Sequence, residues 1–190
     1  MAGLAETDGA QASGTIVPAW RRGLVLSGPP ATDRLGRAMA PFIGAAGPVL
    51  LSGDLGAGKS ALARAVVRAR LGDPAAEVPS PTYTLANVYA PPEGPAIWHA
   101  DLYRLSGPDD LLELGLEEAF DTAVTLVEWP SRLGAALPRR RLEITLTDTA
   151  DGAARDAAIL ALGDGWTALA ARLDRLVAEG GGIAPAGPGP

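Results

Sequence analysis

Apolar segments of two kinds alternate along the chain and predict an α/β fold. Short, mostly apolar runs predict buried strands at 24–27, 48–51, 123–127, 142–147 and 157–162. Longer segments with apolar residues at helical spacing predict helices at 32–43, 61–71, 108–114 and 165–179. Strands that alternate with helices are typical of a mainly parallel central sheet with helices on both faces.

Two closely spaced runs add an antiparallel pair to this sheet. Residues 84–90 and 95–100 both have strand character, and a tight turn, Pro91-Pro92-Glu93-Gly94, separates them. Strands joined by so short a connection pair antiparallel. The predicted sheet is therefore mixed.

Length and composition favour one domain with loosely ordered ends. The chain has 190 residues, of which 47% are hydrophobic, and this is enough for one sizeable core. Residues 1–19 are predicted to be a flexible segment and residues 180–190 a disordered tail, because both are rich in small residues without periodicity. Between them we predict a domain at 20–164 that carries the chemistry, followed by a C-terminal helix at 165–179.

An acidic composition limits the classes of partner. The net charge is −6, so unaided tight binding to nucleic acid is not expected. The absence of cysteine, of an early basic segment and of any apolar run near the roughly 20 residues of a membrane helix favours a cytoplasmic protein without membrane contact. The basic cluster Arg139-Arg140-Arg141 fits either a solvated turn before a strand or a docking patch for an acidic partner.

The segment G-D-L-G-A-G-K-S, residues 53–60, matches the phosphate-binding loop G-x-x-x-x-G-K-[ST]. It lies between a predicted strand and a predicted helix, which is the context that the motif requires. Lys59 is the chain's only lysine, and a compact ammonium can reach between phosphates where a planar guanidinium cannot. Gly53, Gly56 and Gly58 let backbone N–H groups point at phosphate oxygens, and Ser60 can place its hydroxyl on Mg²⁺.

This loop predicts a nucleotide site at the carboxyl ends of the central strands. The predicted nucleotide contacts begin at the loop's first glycine and run into the helix: Gly53, Asp54, Leu55, Gly56, Ala57, Gly58, Lys59, Ser60 and Ala61.

Two acids at the ends of predicted strands are candidates for hydrolysis chemistry, which needs a carboxylate for Mg²⁺ or for the attacking water. The run Val124-Thr125-Leu126-Val127-Glu128 has the Walker B arrangement, so Glu128 is predicted to face Ser60 and the metal; alternatively it is a polar strand terminus. Asp101 can orient the attacking water or bind the metal through a water, or it can cap a turn. His99 lies on the same face as Asp101, so that it either tunes this acid or is a buried, satisfied imidazole, and the second interpretation is favoured.

Two further positions complete the candidate site. In Ser80-Pro81-Thr82-Tyr83-Thr84, the proline fixes the entry angle and leaves the Thr82 hydroxyl free to reach a γ-phosphate or Mg²⁺. The same segment also fits an ordinary entry into a strand. Trp129 fits core packing, although its place next to Glu128 would also let it stack beside a nucleotide.

Four segments in this order and spacing, G-D-L-G-A-G-K-S, S-P-T-Y-T-L, H-A-D-L-Y-R and L-V-E-W-P, resemble the bacterial TsaE family across about residues 20–160. The resemblance implies a P-loop NTPase fold that binds ATP and Mg²⁺ and is required for the threonylcarbamoyladenosine (t6A) modification of tRNA. It also implies association with a partner complex that includes TsaD and TsaB. Such partners would hold the tRNA, which is consistent with an acidic protein in a tRNA pathway.

The resemblance also implies roles for individual residues. Lys59 and Ser60 would bind phosphate and magnesium, and Asp101 would be the acid needed for hydrolysis. Glu128 would be the magnesium-associated acid. Thr82 would be a switch residue and Trp129 the aromatic beside the site. The chain departs from the family after residue 160, so the role of the C-terminal segment stays open.

Two other functions are compatible with a phosphate-binding loop. A small-molecule kinase would need an acceptor pocket and usually an arginine-bearing lid, and no insert after the central strands resembles one. A nucleotide-gated binding module would hydrolyse ATP only incidentally. Partner binding that depends on nucleotide, measured together with turnover in the complex, separates the three.

Overall fold

A computed structural model describes residues 17–45, 47–105 and 108–187 of the chain. Within these residues one mixed sheet has the strand order β3-β4-β5-β2-β6-β7-β1-β8. The strands are β1 Pro18–Leu26, β2 Val49–Ser52, β3 Ala86–Tyr89, β4 Ile97–Asp101, β5 Val124–Glu128, β6 Arg141–Asp148, β7 Arg155–Leu162 and β8 Ile183–Pro185. The four central strands, β4, β5, β2 and β6, are parallel, and the flanking pairs are antiparallel. The predicted mixed sheet is confirmed.

Helices cover both faces of the sheet, as the sequence predicts. They are α1 Pro29–Met39, α2 Lys59–Leu71, α3 Pro108–Glu113, α4 Leu116–Thr122 and α5 Thr167–Ala178, with 3₁₀ segments at Ala40–Phe42 and Pro130–Ala136. Alternate residues of a strand point to opposite faces. Leu51 accordingly belongs to the core under α1, α2 and α5, whereas Leu50 belongs to the core under α3, α4 and the second 3₁₀ segment.

The tail predicted to be disordered from residue 180 instead contains β8. Gly180, Gly181 and Gly182 have φ values of 69°, 68° and 81°, and these left-handed conformations turn the chain back after α5. Ile183 is then buried, and β8 pairs with the end of β1. Glycine was therefore wrongly taken as a sign of disorder, because here it forms the turn that returns the chain to the sheet.

The predicted flexible N-terminal segment also ends earlier than expected. Residues 1–16 lie outside the described part of the chain, but Pro18 and Ala19 already belong to β1. The predicted strand at 24–27 covers only the buried end of β1, because the first six residues of this strand alternate between half-buried and exposed positions without an apolar run. Helix α4 was not predicted at all.

The basic cluster contributes mainly to local structure. Arg141 pairs with Glu143 at 2.6 Å and donates to the Pro138 carbonyl at 2.7 Å. The guanidinium of Arg140 stacks over Trp166 at 4.6 Å from the ring centroid. Two of the three arginines are thus engaged inside the molecule, which weighs against a docking patch made of all three. None of the helices in the described ranges is long and apolar enough to cross a membrane.

Candidate nucleotide site

The phosphate-binding loop follows β2, and the position of its first glycine has no room for a side chain. Gly53 has φ 136°, and a Cβ atom placed there would lie 2.2 Å from the carbonyl oxygen of Leu146 on the neighbouring strand β6. No side chain fits at that distance. The chain then turns tightly, with the Ala57 N–H donating to the Asp54 carbonyl at 3.2 Å.

The loop ends at the N-terminus of α2. Gly58 caps this helix with φ 102°, and its carbonyl accepts the N–H of Leu62 at 2.9 Å. The N–H groups of a first helical turn have no partners within the helix, and the helix dipole gives them positive character. Lys59 and Ser60 begin α2, so these N–H groups point to the position that phosphate oxygens occupy in such loops.

Lys59 is folded into the loop, and only 4% of the residue is exposed. Its Nζ donates to the carbonyl oxygens of Gly53 and Asp54, both at 2.7 Å. Burial lowers the pKa of Lys59 from its ordinary value. The nearby carboxylates of Glu128, Asp101 and Asp54 oppose that shift. These hydrogen bonds go to neutral carbonyl groups, which leaves the ammonium charge available to an anion.

The two predicted acids come together because β4 and β5 are adjacent and parallel. Asp101 and Glu128 are register partners at the carboxyl ends of these strands, and Glu128 is also paired with Leu51 of β2. Both acids are buried, at 4% and 2% exposure. Strand register alone therefore places both carboxylates next to the phosphate-binding loop.

Glu128 bridges the loop and the interior of the sheet. Its Oε2 accepts the Ser60 hydroxyl at 2.9 Å, and its Oε1 lies 2.8 Å from Nε2 of His99. His99 is fully buried, as the favoured interpretation predicted, and its imidazole contacts Glu128 and not Asp101. Among the described residues no group of three or more His, Cys, Asp or Glu side chains could hold a metal ion.

Asp101 is engaged from two sides. Its Oδ2 accepts the Thr82 hydroxyl at 3.1 Å, and its Oδ1 accepts the Tyr103 N–H at 3.0 Å. The Ser80 hydroxyl lies 3.1 Å from that of Thr82 and 3.5 Å from that of Ser60. The sequence predicted that the Thr82 hydroxyl would be free. In the structure it is not free, because Asp101 accepts its hydrogen bond.

Trp129 has a backbone conformation that is unusual for a residue with a side chain. Its φ of 59° and ψ of 51° are left-handed, directly after the last residue of β5. The Lys59 ammonium lies 4.1 Å from the centroid of its ring, and the Tyr103 ring lies 4.9 Å away at a tilt of 48°. Trp129 therefore forms one wall of the site.

These groups line one cavity of about 460 Å³. Eight of the residues predicted from the sequence to bind nucleotide line the cavity, together with the acids Asp101 and Glu128: Leu55, Gly56, Gly58, Lys59, Ser60, Ala61, Thr82 and Trp129. Ser80, Tyr103 and Arg104 also line it and were not singled out from the sequence. Proximity in the sequence could have indicated them, because each lies within three residues of Thr82 or Asp101. The predicted contacts Gly53, Asp54 and Ala57 do not line the cavity but shape the loop behind it.

The part of the chain that carries this site matches a known protein family. The profile of "Threonylcarbamoyl adenosine biosynthesis protein TsaE" matches residues 26–157, which include the loop and both acids. The chain belongs to the TsaE family. The match ends within β7, so α5 and β8 lie beyond it.

Curated TsaE relatives cover most of this region. A Rickettsia bellii protein named tRNA threonylcarbamoyladenosine biosynthesis protein TsaE is 36% identical over 122 residues, which is 64% of this chain and 83% of the relative. A Streptomyces coelicolor protein of the same name is 38% identical over 138 residues, covering 70% and 91%. The crystal structure of Bacillus subtilis YdiB aligns with a TM-score of 0.66 at 25% identity, over 83% of this chain and 96% of YdiB. The fold is that of P-loop NTPases.

Proposed function

We propose that this member of the TsaE family is a Mg²⁺-dependent ATPase that acts in the t6A modification of tRNA. The observation that carries the proposal is the convergence of four groups on one cavity in a chain of this family. Lys59 and Ser60 come from the phosphate-binding loop, and Asp101 and Glu128 come from adjacent strand ends. The names of the relatives support the pathway, and the site supports the chemistry.

The residues present fit ATP and Mg²⁺ by the chemistry of their donor groups. A buried ammonium and the N–H groups of a helix N-terminus suit a polyphosphate. A serine hydroxyl beside a carboxylate oxygen, as at Ser60 and Glu128, offers the hard oxygen ligands that Mg²⁺ prefers. When bound, the ion would neutralise phosphate charge, and Ser60 and Glu128 are the residues that would hold it.

The hydrogen bonds of Asp101 suggest how hydrolysis is kept slow in the isolated chain. Asp101 is the acid that would orient the attacking water, yet both of its oxygens already accept hydrogen bonds, from Thr82 and from the Tyr103 backbone. Movement of the Thr82 segment would leave more of the acceptor capacity of Asp101 to the attacking water. A partner that binds this segment and holds Thr82 towards the nucleotide would free the acid and raise turnover.

The exposed side chain of Tyr83 offers a contact for such a partner. Tyr83 is 84% exposed, directly after Thr82, and the Arg104 guanidinium lies 4.5 Å from its ring centroid. We propose that the partners are TsaD and TsaB, as the family resemblance implies, and that they hold the tRNA while this chain supplies the ATP-driven step.

The test measures phosphate release with and without the TsaB and TsaD partners. We expect the partners to stimulate the wild type and Thr82→Ala to bind ATP normally but lose that stimulation. Thr84→Ala is the matched control, because the Thr84 hydroxyl lies in the same segment but donates to Asn87 at 2.9 Å and not to Asp101. Equal wild-type turnover in both conditions would contradict partner gating. Transfer of phosphate to a small molecule instead of to water would favour the kinase.

A further inference from the structure

Arg155 contacts the phosphate-binding loop but is not one of the residues that line the cavity. It is the first residue of β7, and its register partner on β6 is Asp148, at the same end of the sheet as the loop. Its Nη2 donates to the Gly56 carbonyl at 3.4 Å, and its Nε lies 3.7 Å from Asp148 Oδ1. The side chain is three-quarters buried, so the guanidinium lies between a carboxylate and the loop backbone.

The same side chain also packs against Gly58. A Cβ atom placed on Gly58 would lie 3.4 Å from the Arg155 Nε and 3.5 Å from its Cδ. The loop is therefore contacted at the Gly56 carbonyl, and Arg155 also bounds the space in which a side chain at position 58 would lie. Glycines leave a loop conformationally free unless neighbouring groups restrain it.

From these contacts we infer that Arg155 is a positioning residue of the nucleotide site, held by Asp148 and bracing the phosphate-binding loop. The inference rests on the proposed function. With the Gly56 carbonyl held by Arg155, fewer loop conformations remain, and less ordering entropy is lost when phosphate binds. The guanidinium also adds a fixed positive charge beside the cradle without entering it.

The competing explanation is that Arg155 only stabilises the β6–β7 hairpin. A cross-strand pair of opposite charges does so in many sheets. The two explanations differ in what a substitution changes: a structural role alters the melting temperature, whereas a positioning role alters nucleotide affinity in a chain that is still folded.

The experiment measures the Kd for ADP and ATP by calorimetry on the full chain, together with the melting temperature without nucleotide. Arg155→Ala is expected to weaken affinity about tenfold, since a hydrogen bond from a charged group contributes on that order. Arg155→Lys keeps the charge but lacks the planar fork that reaches both Gly56 and Asp148, so it should restore part of the affinity. With the partners present, the KM for ATP should rise by more than kcat falls.

Arg22→Ala is the matched control. Arg22 also pairs with a carboxylate, Asp174 at 2.8 Å, but it lies on β1 away from the loop, so nucleotide affinity should stay at the wild-type value. If Arg155→Ala does not fold, Arg155→Lys and Asp148→Asn, which removes the charge that holds Arg155, carry the test. Wild-type affinity in a folded Arg155 variant would overturn this inference and leave the proposed function intact. A wild type that binds no nucleotide would overturn both.

Discussion

The two carboxylates of the site have different neighbours, and this difference predicts different roles. Glu128 contacts a hydroxyl of the phosphate-binding loop and an imidazole, so its position is coupled to Ser60. Asp101 contacts the Thr82 segment and the backbone at Tyr103, so its position is coupled to that segment.

We expect Glu128→Gln to weaken the Mg²⁺ dependence of ATP binding, because the amide removes the charge beside Ser60. Asp101→Asn should leave that dependence close to wild type and still abolish turnover, because an amide cannot accept a proton from water. Magnesium titrations of ATP affinity, followed by turnover assays, compare the two variants. Indistinguishable titrations would show that our division of roles is wrong.

Two substitutions of Lys59 distinguish the contribution of its charge from that of its compact shape. Lys59→Ala should lose nearly all nucleotide affinity, because it removes the only ammonium of the loop. Lys59→Arg should not restore it, because the buried space holds a compact ammonium that donates to the Gly53 and Asp54 carbonyls, both at 2.7 Å. Calorimetry with ATP checks both variants. Wild-type affinity in Lys59→Arg would show that charge alone is sufficient.

At the scale of elements, β8 links the C-terminal segment to the stability of the domain. Ile183 is 3% exposed and packs in the core beneath α1 and α5, while its strand pairs with Leu24, Val25 and Leu26. Beside it, Glu179 pairs with both Arg34 and Arg172. Residues that lie beyond the family match therefore stabilise the part of β1 that pairs with β8.

Ile183→Ala should therefore lower the free energy of unfolding by about 2 kcal/mol, the low end for a buried aliphatic residue, because a short edge strand can relax. Ala184→Ser is the matched control, since Ala184 is exposed in the same strand and should change stability little. Chemical denaturation of both variants measures the difference. An Ile183→Ala variant with wild-type stability would show that β8 contributes nothing to the fold.

Local patterns were sufficient for the central elements. The apolar run before the loop, the acid that ends β5 and the close strand pair β3–β4 all have signals within a few residues, and the structure contains each of them. The association of His99 with Glu128 and of Thr82 with Asp101 could not be predicted, because it depends on which strands are neighbours. β8 was missed because three residues are too few for a periodic pattern. The binding and catalytic roles stay predictions until they are measured.

At the scale of the whole molecule, the strand order separates the parts of the site from the chain's outer strands. The loop and both acids follow the adjacent parallel strands β2, β4 and β5. The antiparallel strands β7, β1 and β8 extend the sheet on the other side, where Arg155 is the residue that reaches back to the loop. The expectation that the acidic chain alone does not bind tRNA tightly stays a prediction.

This strand order also has a consequence for synthesis on the ribosome. Among the strands in the described residues β1 emerges first, but its partners are β7 and β8, more than a hundred residues later in the chain. At about 5–20 residues per second, β1 waits on the order of ten seconds before β7 is complete. Its outer half carries Arg21 and Arg22, and charged side chains on an unpaired strand oppose association with other chains. We therefore expect Arg21 and Arg22 to oppose aggregation of the nascent chain until β7 and β8 pair with β1.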